Sequence, residues 1–264
     1  MEPMSARYDC ADSQQREAGI TAAVTAVQQG GLVVLPTDTV YGVGADAFTA
    51  PAVSALLAAK GRGRNMPPPV LVGSVRAASA LAESLGAFGQ DLIDEFWPGP
   101  LTLVFRAAPT LKWDLGDSLG TVAVRMPLHA VALDLLRKTG PMAVSSANRH
   151  GFPAATTVTD AENQLGATVS VYLDGGECAD NVPSTILDLT ASVPRLLRAG
   201  VIHIDQLRRI VPVIDLPSPA DGPAPPPPAE VRPAEPDVPA FSDVHGPKPA
   251  APHPLAGGDT GPGS

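Results

Sequence analysis

Apolar positions follow two rhythms along this chain: helical spacing, and short continuous runs bounded by turn residues. Ile20, Ala23, Val24 and Val27 fall on one helical face that stops at Gly30-Gly31. Leu32 to Leu35 then predicts a short buried strand. Pro51 can open a second helix, because its missing N–H is free there anyway. Val53, Leu56 and Leu57 share a face of that helix, and Lys60-Gly61 ends it. Val70 to Val72 reads as a strand, and Arg76 to Phe88 and Asp91 to Phe96 as helices. Leu101 to Phe105 and Thr121 to Arg125 read as strands, Ala130 to Lys138 as a helix and Met142 to Ser145 as a strand. Thr159 to Leu165 predicts a short helix. Strands follow at Val169 to Leu173, Thr185 to Leu189 and Arg195 to Leu197, then a helix from Ile204 to Arg209. This order implies one α/β domain over 13–214, a twisted open mixed sheet flanked by helices. Residues 1–12 read as an N-terminal extension.

The pattern breaks at Asp215. Residues 215–264 hold 15 of the 30 prolines and run through PAPPPPAE. Too little apolar surface is available there to offset ordering entropy, so the sequence predicts a disordered, Pro/Ala-rich acidic tail.

Composition changes this picture in three ways. Aromatics make up only 4% of the chain, so the core must be built from Ala, Val, Leu and Ile. Seven acidic and two basic residues after Ile214 carry five of the nine net negative charges. The overall charge therefore gives no support for broad nucleic-acid binding, while a local basic pocket stays open. Cys10 and Cys178 are far apart and form no C-x-x-C motif, against a disulfide framework or a thiolate zinc site. The start, MEPMSARYDC, has no apolar h-region, and no apolar stretch approaches the ~18 residues of a membrane span. A reducing cytoplasm is the expected location.

Candidate chemistry gathers where strands end. LPTDTVYGVGAD, residues 35–46, follows a buried run with hydroxyls, a carboxylate and two glycines, a pattern suited to presenting polar groups to a ligand. Its G-x-G-x-x-A spacing is no dinucleotide fingerprint, since six residues separate Leu35 from Gly42 and the helix starts later. Lys60, Arg62 and Arg64 in KGRGR suit a phosphate clamp, or equally a solvated helix end favoured by the macrodipole. MAVSSANRHG places Ser145, Ser146 and Asn148 at a strand end. A nucleophilic serine there lacks the G-x-S-x-G elbow. Arg125 and Arg198 each end an apolar strand, to be capped by an internal carboxylate or to enter the site. Ser184 in NVPSTILDL is a site residue or a turn residue. No strong nucleophile or metal cluster emerges, so the site reads as one that positions reactants.

LPTDTVYGVGAD, AKGRGR, WPGPLTLVF, GTVAVRMPLH, VSSAN, PSTILDL and RLLRAG occur in that order between about Gly30 and Ile202. Together they resemble the YrdC-like family of L-threonylcarbamoyladenylate synthases. The resemblance implies a single YrdC-like domain that condenses L-threonine, bicarbonate and ATP to threonylcarbamoyl-AMP and pyrophosphate. A transferase complex downstream would move the product onto adenosine beside the tRNA anticodon. It implies Lys60, Arg62, Ser146 and Asn148 as catalytic residues. Thr39, Arg125, Ser146 and Ser184 would hold threonine. Lys60, Arg62, Thr121, Asn148, Thr156 and Arg198 would hold ATP. Magnesium is expected on the ATP phosphates rather than in a protein site of its own. Several positions depart from the family pattern: Gly63 stands for proline, Met66 for a polar residue, Leu71 for histidine, and Arg149-His150 for L-S. The competing reading is a non-catalytic RNA-binding module on the same basic concavity, and a weak RNA contact is expected at most.

Overall fold

The computed structural model describes residues 5–178 and 182–214. The segment read from the sequence as a disordered tail, 215–264, lies outside the described residues. The strands are β1 (Ala6–Asp9), β2 (Val33–Leu35), β3 (Gly42–Asp46), β4 (Val70–Leu71), β5 (Leu101–Arg106), β6 (Thr121–Arg125), β7 (Met142–Ser146), β8 (Val171–Asp174), β9 (Thr185–Asp188) and β10 (Arg195–Arg198). The helices are α1 (Ser13–Gln28), α2 (Ala50–Lys60), α3 (Val75–Leu81), α4 (Gly86–Phe96), α5 (Ala130–Thr139), α6 (Val158–Leu165) and α7 (Ile204–Arg208). Among the described residues the strands form one mixed sheet in the order β1-β8-β2-β3-β7-β4-β6-β5-β9-β10.

Helix ends are specified locally. Asp12 caps α1 by accepting the Gln15 N–H at 2.8 Å. Pro51 sits in the first turn of α2, and Gly61 ends that helix in the left-handed region at φ 65°. Thr157 and Asp160 form a reciprocal capping box on α6.

Three features differ from the sequence reading. Residues 6–9, assigned to an extension, form an edge strand parallel to β8. Only Ala6 and Tyr8 of β1 are even half-buried, so the hydrophobic signal is faint. Gly42–Asp46, to which the sequence pattern assigns no element, is a central strand between β2 and β7. The stretch from Arg76 to Phe88 is not one helix. The Glu83 N–H turns away to the Arg106 carbonyl at 2.9 Å, and Gly86 restarts the chain at φ 65°.

Strand alternation divides the core. Val33, Leu35, Leu71, Met142, Val144, Val171 and Leu173 face α1 and α5. Val34, Val43, Val70, Ala143 and Tyr172 face the other way, onto a larger core that includes α2, α4, α6 and α7. In β5, β6 and β9 only one parity joins that core: Leu101, Leu103, Phe105, Val122, Val124 and Leu187. The other parity, with Thr102, Arg125 and Ile186, faces a cavity instead.

Candidate active site

The cavity has a volume of about 430 Å³ and runs from the start of β3 and the end of β7 across β4, β6, β5 and β9 to β10. Thr39, Arg62, Arg125, Ser146, Ser184 and Arg198 all line it. Asp and Glu are missing from its wall among the described residues, so three guanidiniums dominate its potential. The field is mutually unfavourable. Burial, then Arg125 and Arg62, lower the pKa of Arg198.

The sequence run KGRGR splits three ways. Lys60, fully buried at the end of α2, points inward. Its Nζ donates to the Ser146 carbonyl, to the Asn148 carbonyl at 2.7 Å and to Asn148 Oδ1 at 3.2 Å. Arg62 enters the cavity and donates from Nη1 to Ser145 Oγ at 3.1 Å, while its Nε has no protein partner. Arg64 turns outward to both Asp114 oxygens, at 2.9 and 2.7 Å. Burial and the Arg62 charge push the Lys60 ammonium down to about 7. Its contacts oppose that shift, because three N–H bonds to oxygen favour the charged form.

Arg125, at the end of β6, does both things the sequence left open. Nη2 meets Asp38 Oδ1 at 2.5 Å, Nη1 donates to Thr39 Oγ1 at 3.0 Å and Nε to the Gly99 carbonyl at 3.0 Å. A guanidinium has five N–H bonds, so two remain for the cavity. Asp38 also accepts the Leu128 N–H at 3.0 Å. Ser184 Oγ lies 2.8 Å from Thr102 Oγ1 and accepts Arg198 Nη2 at 3.0 Å.

Two expected residues lie elsewhere. Thr121 stands at the opposite end of β6, roughly 13 Å from Arg125 at strand rise, and donates to the Ser118 carbonyl. Thr156 precedes α6, its hydroxyl 3.4 Å from Asp160. Neither lines the cavity. Asn148 spends its amide on the Arg149 and Phe152 carbonyls, at 2.9 and 2.8 Å. Thr102 and Asp38 are contributors the sequence reading assigned no role. A threonine alternating with leucines in LTLVF was the available signal for the first, and the position between Thr37 and Thr39 for the second.

The described residues hold no group of three His, Cys, Asp or Glu side chains placed to bind a metal ion. No helix among them is long and apolar enough to cross a membrane.

A family model described as telomere recombination, covering Sua5, YciO and YrdC proteins, matches residues 25–200. The chain belongs to this family. A Mycobacterium leprae protein, provisionally named threonylcarbamoyl-AMP synthase, is 54% identical over 214 residues, covering 81% of this chain and 97% of its own. The Pyrococcus abyssi threonylcarbamoyl-AMP synthase is 36% identical over 193 residues, covering 73% of this chain and 57% of that protein. The crystal structure of P. abyssi Sua5 complexed with L-threonine superposes with a TM-score of 0.71 at 33% identity, covering 80% of this chain and 62% of that one.

Proposed function

We propose that this chain is a threonylcarbamoyl-AMP synthase that joins L-threonine, bicarbonate and ATP. The observation that carries the reading is the cavity wall: three guanidiniums with hydroxyls between them, and no carboxylate lining it among the described residues. Such a wall suits a substrate set rich in anions. The relatives' names point to the same reaction.

Arg125 takes the threonine carboxylate on its two remaining N–H bonds, beside Thr39 and Ser184. The threonine amine adds to bicarbonate with loss of water, giving a carbamate. A carbamate oxygen then attacks the α-phosphorus of ATP, and pyrophosphate leaves. Arg62 and Arg198 stabilise the phosphate charge, and Ser146 donates to the reacting groups. Lys60 acts from behind by fixing the turn that carries Ser146 and Asn148, and Asn148 itself lines the cavity. Thr121 and Thr156 have no part in this proposal. Magnesium comes in on the ATP phosphates, since the wall offers it no carboxylate. We place the protein in the cytoplasm, consistent with two unpaired cysteines. The product passes to a transferase complex that modifies tRNA.

The test is pyrophosphate release by purified protein, with each of ATP, magnesium, bicarbonate and threonine omitted in turn. Release should need every substrate, and the product should have the mass of threonylcarbamoyl-AMP. One charge-assisted contact is worth about 1.5–3 kcal/mol, so Arg62→Ala should lower kcat/KM about ten- to a hundredfold or more while staying folded. Wild-type turnover in that variant would remove Arg62 from the site.

A further inference from the structure

Phe152 is an aromatic ring 61% exposed to solvent on the wall of this cavity, in a chain poor in aromatics. Single exposed apolar residues are ordinary on a protein surface, but this one lines a cavity. Its loop is tied down on two sides. Asn148, held by Lys60, donates to the Phe152 carbonyl, and the Phe152 N–H donates to the Arg149 carbonyl at 3.1 Å. From α6, Gln164 accepts the Arg149 N–H at 3.0 Å and donates to the Pro153 carbonyl at 3.1 Å. Gly151, at φ 83°, supplies the left-handed turn that closes the loop. The backbone around Phe152 is thus pinned while its ring stays exposed.

Other parts of the wall share this apolar character. Pro67, Pro69 and Ala154 line the same cavity and carry no side-chain donor or acceptor. The guanidiniums and hydroxyls that suit phosphate and carboxylate belong to other residues. A nucleotide has the same division, a charged chain and a flat base.

We propose that Phe152 is the stacking platform for the nucleobase of ATP. This rests on the reading of the cavity as the ATP site. Stacking on an aromatic ring tolerates any base, and the backbone that carries the ring is held before the ligand arrives, so only the side chain needs ordering on binding.

Three ligands separate the platform from the rest of the site: magnesium-ATP, tripolyphosphate and L-threonine, each titrated calorimetrically into the full-length chain. Tripolyphosphate carries the phosphate charge without a base. Phe152→Ala should weaken ATP about five- to a hundredfold and leave tripolyphosphate and threonine unchanged, and Phe152→Tyr should keep the wild-type ATP affinity. Unchanged ATP affinity in Phe152→Ala would overturn the platform. Parallel weakening of tripolyphosphate would overturn it too, reducing Phe152 to a support for the loop. A wild-type chain that binds neither ATP nor tripolyphosphate would overturn the reading of the cavity itself, and the platform with it.

Discussion

Lys60 shows how one buried charge can organise a site without touching its contents. As an ammonium it has three N–H bonds for three oxygens. As an amine it has two, and one contact must be given up. Its pKa is lowered to about 7 from 10.5, so the neutral form gains as pH rises above that value. Loss of a contact frees the turn that carries Ser146 and Asn148. ATP affinity should therefore weaken between pH 7 and 9 in the wild type. In Lys60→Met it should be weak and flat across the same range. Calorimetric titration at several pH values measures both. A wild-type affinity that does not change would mean the three oxygens hold the ammonium above pH 9. Arg125 makes a different use of burial. Asp38 and Thr39 fix its plane, which leaves two N–H bonds in a set direction for an incoming carboxylate.

At the level of elements, the glycines of β3 do a job that the sequence pattern concealed. A Cβ at Gly42 would fall 2.6 Å from Val144 Cγ1, and one at Gly44 2.9 Å from Val144 Cγ2. Val144 is β-branched and stiff about χ1, so it cannot readily yield. These glycines let β7 pack its valine over β3, beside the serines that reach the cavity. Gly42→Val should destabilise the fold by about 1–3 kcal/mol, read as a lower midpoint in chemical denaturation, and should lower turnover through displacement of Ser146. The same residues explain the limits of reading the sequence. Long runs with a clear period, such as α1 and β5, were legible because burial itself writes the period. A strand of GVGAD carries few large apolar side chains, and β1 has no face that is fully buried, so neither wrote one. Motif order gathered most of the cavity residues, because a strand end is easily recognised. It could not say which end of β6 faces the cavity, and so it offers Thr121, at the far end of the strand from Arg125, as an ATP contact. Asp38 went unassigned because its partner, Arg125, lies 87 residues away in sequence.

Across the whole molecule, the sheet is covered by helices on both faces in one half and on a single face in the other. β1 closes the covered half. Among the described residues it pairs only with β8, and Arg7 reaches from it to Asp174 at 2.7 Å and to Glu162 at 3.1 Å. Gly19 on α1 lets Tyr8 approach, since a Cβ there would lie 2.7 Å from the Tyr8 Cβ. A chain truncated to begin at Asp12 should lose several degrees of thermal midpoint, because each kcal/mol shifts Tm by about 2–4 °C in a domain of this size. Its ATP affinity should stay at the wild-type value, as the cavity begins three strands away, at Gly42 of β3. A matching loss of affinity would show that the edge strand supports the site. The half-covered part of the sheet has a different consequence. In β5, β6 and β9 strand parity keeps the core residues apart from those that line the cavity. Replacements at Thr102 or Ile186 therefore leave the hydrophobic packing beneath them intact. Selection can alter what this scaffold binds, one position at a time, without first solving a folding problem.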